Sequence, residues 1–132
     1  GRLEEHDPAR LAAIGVRHVI NLATDDSPEA LPGEGGKLAA EGIAYTHIPV
    51  PFDAPGEDHF DAFVAALDAA QGPVHVHCIM NWRVAAFYYR RNRMAGMGED
   101  EATALMRQQW DPRRSDDPRA RVWAEFLAAG ER

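Results

Sequence analysis

Residues 73–87 read Pro-Val-His-Val-His-Cys-Ile-Met-Asn-Trp-Arg-Val-Ala-Ala-Phe and decide the fold. A short apolar strand ends at Cys78, a tight loop follows, and the helical spacing of apolar residues begins near Val84. Backbone N–H groups of a first helical turn have no intrahelical partner, so they favour an anion in the loop and a thiolate over a thiol. We therefore expect Cys78 to be a nucleophile at the start of a helix.

Two further residues of this stretch favour an anion site. The planar guanidinium of Arg83 can hold two oxygens of a tetrahedral oxyanion in a fork. A loop that turns its N–H groups inward needs a residue that tolerates positive φ, and asparagine, here Asn81, tolerates it best after glycine. The pattern predicts a cradle for a phosphate or a transferred sulfur. Its loop residues would be Ile79, Met80, Asn81 and Trp82. The alternative is that the lone cysteine is only a small buried hydrophobic residue at a strand end.

His77-Cys78 followed by Arg83 resembles the signature of the cysteine-dependent protein tyrosine and dual-specificity phosphatases, whose usual form is His-Cys, five residues, then Arg and Ser or Thr. Here only residues 79–82 separate the cysteine from the arginine, and Val84 stands where the hydroxyl is usual. This spacing is similar to that of a bacterial phosphatase-like family also found fused to beta-lactamase-like hydrolases. Rhodanese sulfurtransferases share it. The resemblance to the bacterial family covers roughly residues 7–110, including the segments at 19–22 and 47–50.

The resemblance implies hydrolysis of phosphomonoesters through a phosphocysteine on Cys78, with neither metal nor cofactor. It implies that His77 fixes the loop by hydrogen bonding, and that an acid on a mobile loop ahead of the nucleophile's strand protonates the leaving group. Asp53, in Phe52-Asp53, stands at that place, and its alternative role is to form a turn. Asp58 and Asp61 are the reserve acids. The implied substrate is a phosphorylated protein, such as a phosphotyrosine protein, or a small phosphoester.

Two other functions stay open. A rhodanese-like sulfurtransferase would hold a persulfide on Cys78, although the Asp-x-Arg strand ending and the Gly-His-Ile segment usual in rhodanese-like chains are missing. A module that binds phosphorylated ligands without turnover is favoured by Val84, because a hydroxyl there would stabilise the departing thiolate. The His75-x-His77-Cys78 cluster invites a zinc interpretation, but the absence of a fourth ligand nearby in the sequence argues against it.

Length and charge limit the remaining classes. At 132 residues with one cysteine, the chain is expected to form a single domain, residues 1–132, whose core needs no disulfide. The net charge of -7 argues against nucleic acid or an anionic membrane as partner. No apolar run approaches the ~20 residues of a membrane span, and residues 1–5 lack a signal-peptide form, so we expect a cytoplasmic protein.

Short strands alternate with helical patterns, which predicts an α/β domain with a mainly parallel central sheet flanked by helices and a ligand at the carboxyl ends of the strands. The phosphatase fold has this layout. Strands are predicted at 16–22 and 43–50, a short helix at 37–41, and a loop at 23–36 that forms a rim of the site. The helix after Cys78 is predicted to end near Ala95 in a solvated basic cluster that includes Arg90, and Trp110 to stop the next helix and pack.

Overall fold

The computed structural model describes residues 1–131, which form a parallel three-stranded sheet flanked by six helices. The strands are β1 (His18–Asn21), β2 (Ala44–His47) and β3 (Val74–His77). The helices are α1 (Asp7–Ala13), α2 (Glu34–Ala40), α3 (Glu57–Ala69), α4 (Trp82–Met94), α5 (Glu99–Arg107) and α6 (Ala120–Ala129), with a 3-10 turn at Pro112–Arg114. None of the helices in this part of the chain is long and apolar enough to cross a membrane. The predicted α/β fold with a parallel sheet is confirmed.

The order of the strands is β2-β1-β3, so β1 is central and all three strands leave the sheet at the same edge. Hydrogen bonding continues past the strand ends, because the N–H groups of Leu22 and Val50 donate to the carbonyls of His77 and Leu22, at 2.8 and 3.1 Å. This edge is where Cys78 follows β3. β2 is shorter than the predicted 43–50, since Pro49 has no N–H to donate to a ladder.

The helix before β2 begins three residues earlier than predicted. Gly33 takes a left-handed conformation with φ 65°, and α2 starts at the next residue. This turn closes the predicted 23–36 loop and brings Glu34 into the interior, where it is 7% exposed. A glycine suits the turn because it adopts positive φ without steric cost.

The apolar faces of α3 and α6 pack together in the core. Phe60 and Phe63 of α3 pack with Trp123 and Phe126 of α6 in a core cluster that also holds Phe87 of α4. Phe63 and Phe87 meet edge to face, with ring centroids 5.4 Å apart. Full burial of such a side chain contributes about 1.5–3 kcal/mol, so this cluster holds the helices that flank β3.

The prediction that Arg90 is solvated is wrong. Its guanidinium lies 4.2 Å from the ring centroid of Phe60 and 4.5 Å from that of Phe126. It also donates two hydrogen bonds to Glu57 of α3, at 2.5 and 2.9 Å. The side chain turns inward because α3 and α6 together offer aromatic faces and a carboxylate, which position along α4 alone does not reveal.

Candidate active site

The loop between β3 and α4 has the conformation that the sequence predicts. Cys78 follows β3 directly and is 1% exposed. Asn81 has φ 61° and ψ 14°, and it is the one non-glycine residue with positive φ in the described part of the chain. It occupies the N-cap of α4, yet its side chain caps no N–H group. The first turn of α4 therefore keeps its N–H groups for another acceptor.

In this loop backbone carbonyls are hydrogen-bonded to the rest of the protein, while the N–H groups are left free of backbone partners within residues 1–131. The carbonyl of Ile79 accepts from the Arg2 N–H at 3.0 Å, and the carbonyl of Asn81 accepts from the Ala85 N–H at 2.9 Å. No N–H group of residues 79–84 donates to another backbone group within the described chain. A row of unpaired N–H groups at a helix N-terminus is a binding site for an anion. Met80 lies at the surface of the loop, 52% exposed.

Arg83 is a buried cation, 7% exposed, at the second position of α4. Its Nη1 donates to the carbonyl of Val50 at 2.9 Å, and its Cζ lies 5.7 Å from the ring centroid of Phe52. Its Nε is buried without a hydrogen-bond partner, and no carboxylate of residues 1–131 lies within ion-pair distance. The cost of a buried charge without a partner is reduced when an anion binds it.

The segment that carries Asp53 is anchored beside this loop. The ring of Phe52 lies 6.0 Å from that of Trp82 and 5.5 Å from that of Trp123, and Trp123 Nε1 donates to the Phe52 carbonyl at 2.6 Å. Asp53 follows directly and is exposed. The guanidinium of Arg119 lies 4.4 Å from the ring centroid of Phe52. The carboxylate of Asp53 therefore belongs to the residue next to Phe52, whose ring contacts both Trp82 and Arg83.

The reserve acids lie on α3. Asp58 is in the first turn of that helix, where a carboxylate is favourable to the helix dipole, and Asp61 follows one turn later. Both are exposed. The structure brings neither of them into a hydrogen bond or ion pair with residues 78–83.

Trp110 packs as predicted. Its ring stacks on that of Trp82 with centroids 4.7 Å apart and planes 5° apart, so the loop has a flat aromatic wall. Burial raises the pKa of the neighbouring Asp111, but hydrogen bonds from Arg113 and Arg107 outweigh burial and leave it below its usual range. Asp111 is thus committed to these arginines and is no candidate for a proton donor.

His77 lies behind the loop, 2% exposed. Its Nδ1 is 3.1 Å from the carbonyl oxygen of Cys78, and its Nε2 is 2.8 Å from Oε2 of Glu34. Glu34 was missed from the sequence because a lone glutamate after Pro-Gly is typical of an exposed helix start. Within residues 1–131 no group of three or more His, Cys, Asp or Glu side chains is placed to hold a metal ion.

A known protein family matches the chain. The family model described as the phosphatase-like domain of beta-lactamase hydrolase-like proteins matches residues 1–89. A beta-lactamase hydrolase-like protein of Xylella fastidiosa strain Temecula1 is 34% identical over 98 residues, which are 71% of this chain and 23% of the relative. The chain therefore spans about a quarter of the length of the curated relatives it matches.

Solved structures share the fold over nearly the whole chain. A protein of Shewanella putrefaciens CN-32, described as a candidate phosphatase (DUF442), is 28% identical with a TM-score of 0.81, covering 98% of this chain and 80% of its own. TpbA of P. aeruginosa, as a cysteine-to-serine variant in complex with pTyr, is 19% identical with a TM-score of 0.68, covering 99% of this chain and 83% of its own. At that identity the likeness to TpbA shows the fold alone.

Proposed function

Because the chain belongs to the phosphatase-like domain family of the beta-lactamase hydrolase-like proteins, we propose that it hydrolyses phosphomonoesters through a phosphocysteine on Cys78. The observation that carries the proposal is the buried guanidinium of Arg83, which has no carboxylate partner and lies at the start of α4, after the unpaired N–H groups of the loop. A dianionic phosphoryl group supplies the negative charge that this cradle lacks.

In the first step the Cys78 thiolate attacks phosphorus, so an S–P bond forms and the P–O ester bond breaks. The loop N–H groups and Arg83 hold the equatorial oxygens, whose charge they stabilise. The leaving oxygen takes a proton from the carboxyl group of Asp53. The contact of Phe52 with Trp82 of the loop supports this role, because Asp53 is the next residue and is exposed.

In the second step water attacks the phosphocysteine, the S–P bond breaks, and inorganic phosphate leaves. The Asp53 carboxylate accepts the proton from water, and the electron pair of the broken bond returns to sulfur as a thiolate. Val84 is half-buried and packs against the core, and its hydrocarbon side chain has no hydroxyl to donate to this sulfur. The second step is therefore the slower one in this proposal.

The surroundings of the loop support one substrate class. The stacked rings of Trp82 and Trp110 line an open depression of about 410 Å³, which also borders Arg107 and Arg114. Such a wall suits an aryl phosphate, whose ring packs against aromatic faces. The pTyr bound to the TpbA variant supports phosphotyrosine or a small aryl phosphoester as the substrate here.

Val84 also supports a second candidate, a module that binds phosphorylated ligands with little turnover. The two candidates share the cradle and differ in the hydrolysis of the phosphocysteine. In a phosphate-binding module without turnover, bound phosphate would protect Cys78 from alkylation by iodoacetate, and an aryl phosphate would not be hydrolysed.

The deciding experiment assays purified protein and its Cys78→Ser variant with a chromogenic aryl phosphate, and in parallel with thiosulfate and cyanide. We expect the wild type to release phosphate and the variant to release none, since this is the only cysteine in the chain. Thiocyanate formation without phosphate release would favour sulfur transfer. Phosphate binding without either product would favour the binding module.

A further inference from the structure

We propose that Glu34 is a positioning residue that holds His77 as a doubly protonated imidazolium directly behind the nucleophile. The inference rests on the proposed function, because it concerns how the loop of that site is kept in its anion-binding form. It follows from the acceptors that face the two ring nitrogens of His77 and from the burial of both side chains.

The acceptors determine where the protons are. Nδ1 of His77 is 3.1 Å from the carbonyl oxygen of Cys78, and a carbonyl oxygen only accepts, so Nδ1 carries a hydrogen. Nε2 is 2.8 Å from Oε2 of Glu34, so a proton lies between these two atoms as well. If the ring were neutral with its hydrogen on Nδ1 and Glu34 were ionised, the lone pair of Nε2 would face a lone pair of Oε2. The His77–Glu34 pair therefore holds one proton more than a neutral histidine with an ionised glutamate.

Imidazole is a stronger base than a carboxylate, so this proton belongs to the ring. His75 stacks on His77 with ring centroids 6.0 Å apart, and its pKa is lowered above all by burial. Tyr45 of β2 stays neutral near Glu34, because burial above all raises its pKa to about 12. Its hydroxyl accepts from Asn21 Nδ2 at 3.1 Å and is also within hydrogen-bonding reach of the Glu34 carboxylate.

The position of Glu34 is built into the fold. Gly33 supplies the positive φ from which α2 starts, and Gly35 lets α2 approach the ring of Tyr45. A Cβ at Gly35 would lie 3.0 Å from that ring. These contacts place the carboxylate of Glu34 under β3, 43 residues away in the chain from His77.

The consequence concerns the nucleophile. An N–H at Nδ1 holds the Cys78 carbonyl behind the loop, which keeps the loop N–H groups turned toward the anion site. The positive charge of the ring, next in the chain to Cys78, favours the thiolate electrostatically. Glu34 acts on Cys78 through His77 in both respects.

The test compares Glu34→Gln with Glu41→Gln, a control at the exposed end of the same helix. Gln keeps the shape and a hydrogen bond but removes the charge. Ring nitrogen NMR, with the His77 signals assigned by their loss in His77→Asn, reports protonation. Iodoacetamide, a neutral reagent, reports the thiolate of Cys78 across pH.

We expect both His77 nitrogens of the wild type to carry hydrogens at pH 7, and Glu34→Gln to lose one of them. Alkylation near pH 6 should then fall about tenfold. Glu41→Gln should match the wild type.

An unprotonated His77 nitrogen in the wild type at pH 7 would overturn the proposal, and this measurement decides the matter even if Glu34→Gln does not fold. An unchanged alkylation profile in folded Glu34→Gln would also overturn it. Aryl phosphate turnover is measured separately. A protein with the expected spectra but no phosphate release contradicts the proposed function alone, whereas an active enzyme indifferent to Glu34→Gln contradicts only the role of Glu34.

Discussion

Arg83 and Arg90 lie two turns apart on α4, and both are buried, at 7% and 8% exposure. Each guanidinium lies over a phenylalanine ring; Arg83 is tied to the segment between β2 and α3, and Arg90 to the first residue of α3. Arg90 makes two hydrogen bonds to the carboxylate of Glu57, whereas Arg83 makes one to the neutral carbonyl of Val50. The same residue type in the same helix thus has a fixed anion at one site and none at the other.

The difference separates a structural cation from one that is available to a ligand. The two arginines tie residues 50 and 57, the two ends of the segment that presents Asp53, to α4. At one end the carboxylate of Glu57 is already paired, while at the other the guanidinium of Arg83 lacks an anion. A paired charge contributes to folding, and an unpaired buried one favours binding of an oxyanion.

Replacement of each arginine by methionine gives the largest expected contrast. Arg83→Met should lower kcat/KM for an aryl phosphate by about 10³-fold or more, because it removes a cation from the transferring phosphoryl group. Arg90→Met should leave kcat/KM within about fivefold and lower the unfolding free energy by about 1–3 kcal/mol through lost packing and pairing. Steady-state kinetics and urea titrations measure the two effects. Equal catalytic losses would mean that both arginines act only through the fold.

The two acids of the tied segment give the next contrast. Asp53→Asn should lower turnover by about 10²–10⁴-fold on substrates with poor leaving groups, and much less on an activated aryl phosphate that needs no proton. Glu57→Gln should change neither rate by a comparable factor. An equal loss on both substrates would assign Asp53 a role in loop shape. Full activity of Asp53→Asn on the poor substrate would shift the role to Asp58 or Asp61.

Val84, next to Arg83 at the start of α4, provides no side-chain hydrogen-bond donor for the sulfur of Cys78. Without a hydroxyl for the departing thiolate, the wild type should release a burst of leaving group close to one per enzyme before a slow steady state. Val84→Ser should shrink the burst and raise the steady-state rate about 10- to 150-fold, since a hydrogen bond to a developing anion stabilises it by about 1.5–3 kcal/mol. Stopped-flow absorbance measures both phases. A wild type without a burst, and a variant no faster, would place the slow step earlier.

Inorganic phosphate should stabilise the protein only through the unpaired arginine. At ten times its dissociation constant, a ligand that binds the folded state alone adds about 1.4 kcal/mol to the unfolding free energy. We expect this gain in the wild type and in Arg90→Met, and none in Arg83→Met. Chloride at equal ionic strength is the control. Stabilisation of all three proteins alike would show that phosphate acts on the surface and not in the cradle.

Local rules account for what the sequence predicts correctly. The turn from β3 into α4 and the positive φ of Asn81 each depend on neighbours within a few residues. Parallel pairing follows from the alternation of strands and helices, and it brings the carboxyl ends of the strands to the edge where Cys78 lies.

Contacts between distant residues account for what the sequence does not reveal. Glu34 meets His77 across 43 residues, and Arg83 and Arg90 meet Val50 and Glu57 across 33. A glutamate after Pro-Gly and an arginine near a helix end have the patterns of exposed residues. Their burial depends on which elements pack against them, and no periodicity in a single element encodes that.

The smallest expected effect concerns the paired arginine and its dependence on pH. Hydrogen bonds from Arg90 hold the pKa of Glu57 below its usual range. A carboxyl group whose pKa is lowered by folding contributes stability above its unfolded pKa and loses it as pH falls through the folded value.

Glu57→Gln should thus lower the unfolding free energy at pH 7 by about 0.2–1 kcal/mol, a small amount because the Glu57 side chain is 59% exposed. The difference from the wild type should shrink as pH falls below the ordinary carboxyl range and vanish only where Glu57 is protonated in the folded state as well. Urea titrations across this range measure it, with the exposed Glu41→Gln as control. A deficit that stays constant with pH would mean that Glu57 acts through its shape, and the fixed anion that distinguishes Arg90 from Arg83 would then contribute no charge pairing to stability.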